Sequence, residues 1–139
     1  MAISGPMWCK EGLQEAADAL LKDNATPEDK EIFLFSNDKT ITNATVNADL
    51  TEITTNGGGK QDLAKGTWDA ATDADPVVSR YNGATGVSWS ITGALTVYGW
   101  AIRGKTSLKI YCAKNWGVGT YGNGDTIECK PCDVKFDIV

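Results

Sequence analysis

The chain has 139 residues, and 13 Lys and Arg against 18 Asp and Glu give it a formal net charge of −5. This length predicts one domain, since domains run to roughly 100–200 residues, and 42% hydrophobic residues are enough to build a core. The sequence has no His, which excludes a Ser–His–Asp triad, a Cys–His pair and a His-ligated metal. The acidic balance argues against nucleic-acid binding, and no stretch approaches the ~20 apolar residues of a membrane span.

Residues 1–24 are predicted to form an apolar arm followed by a helix. The arm includes Ile3, Met7 and Trp8, but it is too short and irregular for an element of its own, so we expect it to lie on this domain or a neighbouring subunit. One helical face is predicted from apolar residues at i, i+3, i+4, i+7 and i+8, namely Leu13, Ala16, Ala17, Leu20 and Leu21. The arm lacks the basic flank and apolar run of a secretion signal, which predicts an intracellularly made, soluble protein unless a signal was removed before residue 1.

Residues 25–139 are predicted to form a single β-sandwich domain. Apolar and polar residues alternate there in short runs, and turn residues separate the runs at the ~8–12-residue spacing of an antiparallel sandwich or barrel. The predicted strands are 31–36, 77–81, 87–91, 95–103, 108–115, 126–130 and 134–138, with one or two weak strands within 38–67. Because no helix recurs between them, a parallel doubly wound sheet is excluded. We therefore predict an all-β fold of about seven or eight strands with one N-terminal α-helix.

Glycines mark three special places in this pattern. Gly99 interrupts the long apolar strand that we expect at the centre of a sheet, and it predicts a β-bulge or a close contact. The triple glycine 57–59 predicts a long flexible loop, and it lacks the strand–helix context and the GK[ST] of a phosphate-binding loop. Alternate glycines over 115–124 predict a second loop, which carries Trp116 and Tyr121.

The four cysteines are compatible with three chemical states. Cys129 and Cys132 form a CxxC, and Cys9 and Cys112 could complete a Cys₄ zinc site, although no second CxxC supports one. A disulfide is the second possibility. We favour free structural thiols, because no secretion signal is present and Cys112 is in phase with the core positions of its strand. A thioredoxin-type centre is disfavoured, since its CxxC would open a helix rather than separate two strands.

The acidic residues give no convincing metal or catalytic site. Asp69, Asp73 and Asp75 could bind a loop Ca²⁺, but they lack the regular ligand spacing of a calcium loop. We interpret them as solvated turn residues, and we predict no cofactor, no metal and no catalytic residue.

Five tryptophans invite a binding role, because flat aromatic faces stack on sugar rings and are common at protein interfaces. Trp89 is in phase with apolar neighbours, and Trp100 lies in the long apolar strand, so both are predicted to be core residues. Trp116 and Tyr121, in the predicted glycine-spaced loop, are the aromatic residues expected to be available to a partner.

Four short stretches, taken in order, resemble motifs of small proteins from tailed bacteriophages. They are FLFSND at 33–38, ADLTEIT at 48–54, YGWAIR at 98–103 and NGDTIECKPC at 123–132. The chain departs from that pattern in its cysteines, in its triple glycine and in lacking a Thr-Pro pair after Asn-Asp. The resemblance implies a jelly-roll β-sandwich that acts as a head-decoration (cement) protein.

This resemblance implies a non-enzymatic virion component that is assembled in the host cytoplasm. Its partners would be the major capsid protein and other copies of itself, with a homotrimer as the expected oligomer, and neither nucleic acid nor membrane. The predicted interface comprises the N-terminal segment 1–21 and the 115–124 loop, and its candidate residues are Ile3, Met7, Trp8, Leu13, Trp116 and Tyr121. The alternatives are a carbohydrate- or receptor-binding module and a tail or baseplate subunit.

Overall fold

A computed structural model describes residues 14, 16–18, 29–64, 67–72 and 76–136 of the chain. This part contains eight strands and a short 3-10 helix at Asn47–Asp49. The strands are β1 (Lys30–Phe35), β2 (Gln61–Leu63), β3 (Val77–Tyr81), β4 (Val87–Ser90), β5 (Leu95–Gly104), β6 (Ile110–Tyr121), β7 (Thr126–Cys129) and β8 (Cys132–Phe136). Their registered pairs are antiparallel, which confirms the all-β, antiparallel prediction.

Most predicted strands are found where the sequence places them. The five predicted at 31–36, 77–81, 87–91, 95–103 and 126–130 match observed strands to within one residue at each end. The last strand begins two residues before its predicted start at 134. The backbone of residues 14 and 16–18 is helical, and the rest of the predicted arm and helix lies outside the described residues.

The chain divides into two compact units, which differ from the predicted division at residue 24. Unit 1 comprises residues 1–27, 65–87 and 130–139, and unit 2 comprises residues 28–64 and 88–129. The division of the chain into an arm with helix and a single sandwich domain stays a prediction.

Unit 2 is built on a four-stranded sheet with the order β2-β1-β5-β6. β1 pairs with β5 from Lys30↔Gly104 to Phe35↔Gly99, and all six of its residues are buried. The segment that follows β1 covers one face of the sheet, where Leu50 packs against Phe33 and Phe35. A strand buried on both faces needs a continuous apolar run, and the apolar stretch 32–35 within β1 supplies it.

The structure confirms the close contact predicted at Gly99 and shows a β-bulge beside it, on the neighbouring strand β6. The pairing of β5 with β6 shifts its register between Val97 and Gly99. A Cβ atom at Gly99 would overlap the carbonyl oxygen of Lys114 and lie 2.7 Å from Cζ of Phe35. Glycine is therefore required here by the close approach of the neighbouring strand.

The triple-glycine segment is a loop, as predicted, and it is packed against another part of the chain. Asn56 donates from its side-chain Nδ2 to the Ala94 carbonyl oxygen at 3.0 Å, and its main-chain carbonyl oxygen accepts the Thr92 N–H at 2.9 Å. Gly58 is buried, and its N–H donates to the Thr55 carbonyl oxygen at 3.0 Å. The two hydrogen bonds of Asn56 join this loop to residues 92–94, a contact that its composition does not indicate.

Unit 1 contains the pair β3 and β8, in register from Val77↔Phe136 to Tyr81↔Cys132. Arg80 and Asp133 join the two strands through two hydrogen bonds of 2.7 and 3.0 Å. Asn82 and Gly83 follow β3 with φ angles of 57° and 54°, which confirms the predicted Asn-Gly turn. β3 nevertheless pairs with β8, while β4 pairs with β7.

Candidate interaction site

Most of the segment 115–124, predicted as a loop, is strand. β6 continues to Tyr121, and its second half pairs with β5 from Leu95↔Tyr121 to Val97↔Gly119. The loop prediction is wrong because alternate glycines lower the local strand propensity, whereas pairing with a distant strand supplies the backbone hydrogen bonds. Trp116 and Tyr121 therefore lie on the strand that ends the order of the four-stranded sheet.

A bulge in β6 exposes two apolar side chains. Three residues, 116–118, lie opposite the single residue Tyr98 of β5. Gly117, in the middle, has a φ of +88°, which a residue with a side chain adopts only with strain. Trp116 is 37% exposed and Val118 is 63% exposed. Trp116, which the sequence predicts to be available to a partner, is therefore exposed, and Val118 is exposed beside it in the chain.

The side chain of Asn115 holds this 116–118 bulge from one end. Its Oδ1 accepts a hydrogen bond from the Gly117 N–H at 2.8 Å. Its Nδ2 donates to Oδ1 of Asp38 at 3.0 Å and to the carbonyl oxygen of Lys39 at 2.9 Å. One amide thus joins the bulge to the segment that follows β1.

The two aromatic residues that the sequence assigns to one loop have different environments. Trp116 lies in the bulge and is exposed, whereas Tyr121 is half-buried at the end of β6, opposite Leu95. The Tyr121 ring lies over Gly119, where a Cβ atom would come within 2.8 Å of its hydroxyl oxygen. Of this pair, Trp116 offers the larger free surface.

Sequence reasoning missed three exposed apolar residues. Val118, Val46 and Leu108 are 63%, 55% and 40% exposed. Val118 could have been found, because its position between two glycines in a Trp-bearing segment is unusual for a core valine. Leu108 is the first residue of the strand predicted at 108–115, but it lies before β6 with a φ of 58°.

The predictions for the other tryptophans hold in part. Trp89 is 1% exposed, which confirms it as a core residue, and its indole N–H donates to the Gly59 carbonyl oxygen at 2.9 Å. Trp100 is half-buried rather than fully enclosed. Trp68 is 3% exposed and meets Tyr81 edge-on, with ring centroids 5.3 Å apart.

A buried charge cluster in unit 2, centred on Arg103, is also invisible in the sequence. Arg103 donates from Nε to Glu31 at 2.8 Å, from one terminal nitrogen to Asn47 at 2.8 Å and from the other to Glu52 at 2.7 Å. Burial lowers the pKa of Arg103, but the hydrogen bonds and charges of the two carboxylates raise it above its ordinary value overall. The guanidinium therefore stays charged and ties the segment after β1 to strands β1 and β5.

The described cysteines lie in or beside strands. Cys112 is a half-buried free thiol on β6, and burial, with a smaller effect of Cys129, raises its pKa to about 12. Cys129 ends β7 and Cys132 begins β8, and both are buried. Cys112 is thus a free thiol, as the sequence favours, but it is half-buried and does not occupy the core position expected for it. Cys9 lies outside the described residues.

Several candidate residues fall outside the described part of the chain. These are Ile3, Met7, Trp8 and Leu13 of the predicted interface and Asp73 and Asp75 of the weak calcium candidate. Asp69 is exposed. Within the residues that are described, no group of three His, Cys, Asp or Glu side chains could hold a metal ion.

The described residues include no helix that is long and apolar enough to cross a membrane. Comparison of the chain with protein-family models, with curated proteins and with solved structures gives no match.

Proposed function

We propose that the chain is a non-enzymatic structural subunit of a bacteriophage virion, and specifically a head-decoration protein with a jelly-roll sandwich and an N-terminal helix. It binds the major capsid protein and its own copies, as a homotrimer, on a virion assembled in the host cytoplasm. The observation that carries the proposal is the 116–118 bulge, since Trp116 and Val118 are both exposed on strand β6. The resemblance of four sequence stretches to phage proteins supplies the biological setting.

The bulge suits a subunit whose work is repeated contact. Fully burying a large apolar side chain is worth ~1.5–3 kcal/mol, so covering what remains exposed of Trp116 and Val118 contributes roughly 2 kcal/mol per copy. This is weak for one contact. Joined copies that bind a symmetric shell at several points multiply such contacts through effective concentration.

The test is re-addition of the purified chain to phage heads assembled without it, measured as bound copies per head. We expect Trp116→Ala to lower occupancy at limiting concentration, because it removes the larger contact surface. Leu108→Ser is the matched control, since Leu108 is exposed to a similar extent, 40% against 37%, but lies outside the bulge. Equal occupancy for both variants and the unmodified chain would contradict the role of the bulge.

A carbohydrate- or receptor-binding module is the second candidate, and the exposed indole of Trp116 is the observation that favours it. An indole that stacks on a sugar ring changes its fluorescence. Quenching by glycans that disappears in Trp116→Phe, together with no binding to heads, would favour this candidate over the first.

A further inference from the structure

We infer that Asn115 is a positioning residue that fixes the 116–118 bulge against the segment following β1, so that Trp116 is presented to its protein partner in one orientation. The functional part of this inference rests on the proposed function. The positioning itself is a property of the isolated chain and can be tested without any partner.

The bonding of the Asn115 amide carries the inference. A primary amide has two N–H donors and one carbonyl acceptor, and all these groups are used here. The carbonyl accepts the Gly117 N–H at 2.8 Å, while the amino group donates to Asp38 at 3.0 Å and to the Lys39 carbonyl at 2.9 Å. Aspartate could accept from Gly117 but could not donate to Asp38, so the two functions of the side chain can be separated.

The segment that follows β1, to which Asn115 donates, is itself held in place by hydrogen bonds and can therefore support the bulge. Asn37, directly before Asp38, donates to the Asp49 carbonyl oxygen at 2.8 Å and accepts the Thr51 N–H at 2.8 Å. Further along, Arg103 binds Asn47 and Glu52 of the same segment. The position of Asn115 is thus set by a segment that Asn37 links internally and that Arg103 holds to strand β5.

The backbone of Gly117, in the middle of the bulge, is the part that Asn115 positions. Gly117 has a φ of +88° and open space around the place of its missing Cβ, so its glycine serves the backbone conformation and not a packing contact. A glycine flanked by exposed residues would sample other conformations, and the 2.8 Å bond to Asn115 selects one of them.

The experiment is amide hydrogen exchange of Gly117, measured by NMR on the full chain. We expect Asn115→Asp to speed exchange at Gly117 at least ~10-fold, because the new carboxylate faces Asp38 across the former 3.0 Å hydrogen bond and is pushed away. Asp38→Asn keeps an acceptor and changes little. The combined variant N115D/D38N restores the hydrogen bond between positions 115 and 38 with donor and acceptor exchanged, so protection should return in part, while the Lys39 carbonyl stays without its donor. Asn43→Asp, at an exposed turn residue, controls for the added charge.

Unchanged exchange in Asn115→Asp, or an absence of rescue in the double variant, would overturn the inference. The consequence for binding is read by re-adding the same variants to heads assembled without the chain. Asn115→Asp should lower occupancy and N115D/D38N should recover it. If occupancy stays constant while the protection of Gly117 is lost and regained, the inference is also overturned. Failure of the proposed function is separate, since the unmodified chain would then not bind heads at all.

Discussion

Replacing Arg103 with methionine is expected to destabilise the fold strongly, because it removes the buried counter-charge of the Glu31 carboxylate. The side chains of Arg103 and Glu31 are 4% and 0% exposed, and the Nε···Oε2 distance is 2.8 Å. Lys60 approaches the other oxygen of Glu31 only to 3.5 Å, from a side chain that is 53% exposed. Removing one member of such a buried pair costs ~3–5 kcal/mol. Methionine retains much of the volume, so little of this cost is a cavity.

The assay is urea unfolding, followed by tryptophan fluorescence and far-ultraviolet circular dichroism. Glu52→Gln should cost less than Arg103→Met, since Glu52 is 26% exposed and glutamine still accepts a hydrogen bond. Arg80→Met breaks an ion pair whose arginine is 44% exposed, so it serves as the surface control and should cost the least. The double variant E31M/R103M should recover part of the loss, because no buried charge is left unpaired. An Arg103→Met loss no larger than that of Arg80→Met would refute this reasoning.

Three further predictions concern other parts of the chain. Gly99→Ala should destabilise by ~2–3 kcal/mol in the same urea assay, because its Cβ would overlap the Lys114 carbonyl oxygen, and a neutral effect would contradict the close approach. Cys112 should resist labelling by iodoacetamide at pH 8 in the folded chain, since its pKa is raised from 9.0 to about 12, and rapid labelling of the folded chain would disprove this. Its contribution to stability should fall as the pH rises above about 9, because the thiol then ionises in the unfolded chain but not in the folded one. Deleting residues 1–10 should reduce oligomerisation and head binding, measured by light scattering and occupancy, and unchanged values would remove the arm from the interface.

Where the fold follows local patterns, the sequence predicts it well. The alternation of Val87 and Trp89 with serines predicts β4, and the continuous apolar run from Ile32 to Phe35 predicts the buried β1. Gly99 predicts the close approach of a neighbouring strand, because a glycine inside an apolar strand often marks a close contact or a bulge.

Where structure depends on distant partners, the sequence is not sufficient. The second half of β6 is strand because it pairs with Leu95–Val97. The glycines on either side of Val118 lower the strand propensity, so the sequence does not show this pairing. Arg103 and Glu31 are 72 residues apart in the chain, and each alone reads as a surface charge. The hydrogen bond from Asn115 likewise depends on Asp38, which is 77 residues away in the chain.

The most direct test of the account is electron cryomicroscopy of the particle that carries this chain. The account predicts density for the chain on the outside of the head lattice, with Trp116 and Val118 of the 116–118 bulge against the capsid protein or a sister copy. Density on the tail or baseplate, or a bulge that faces solvent in every copy on the head, would contradict it.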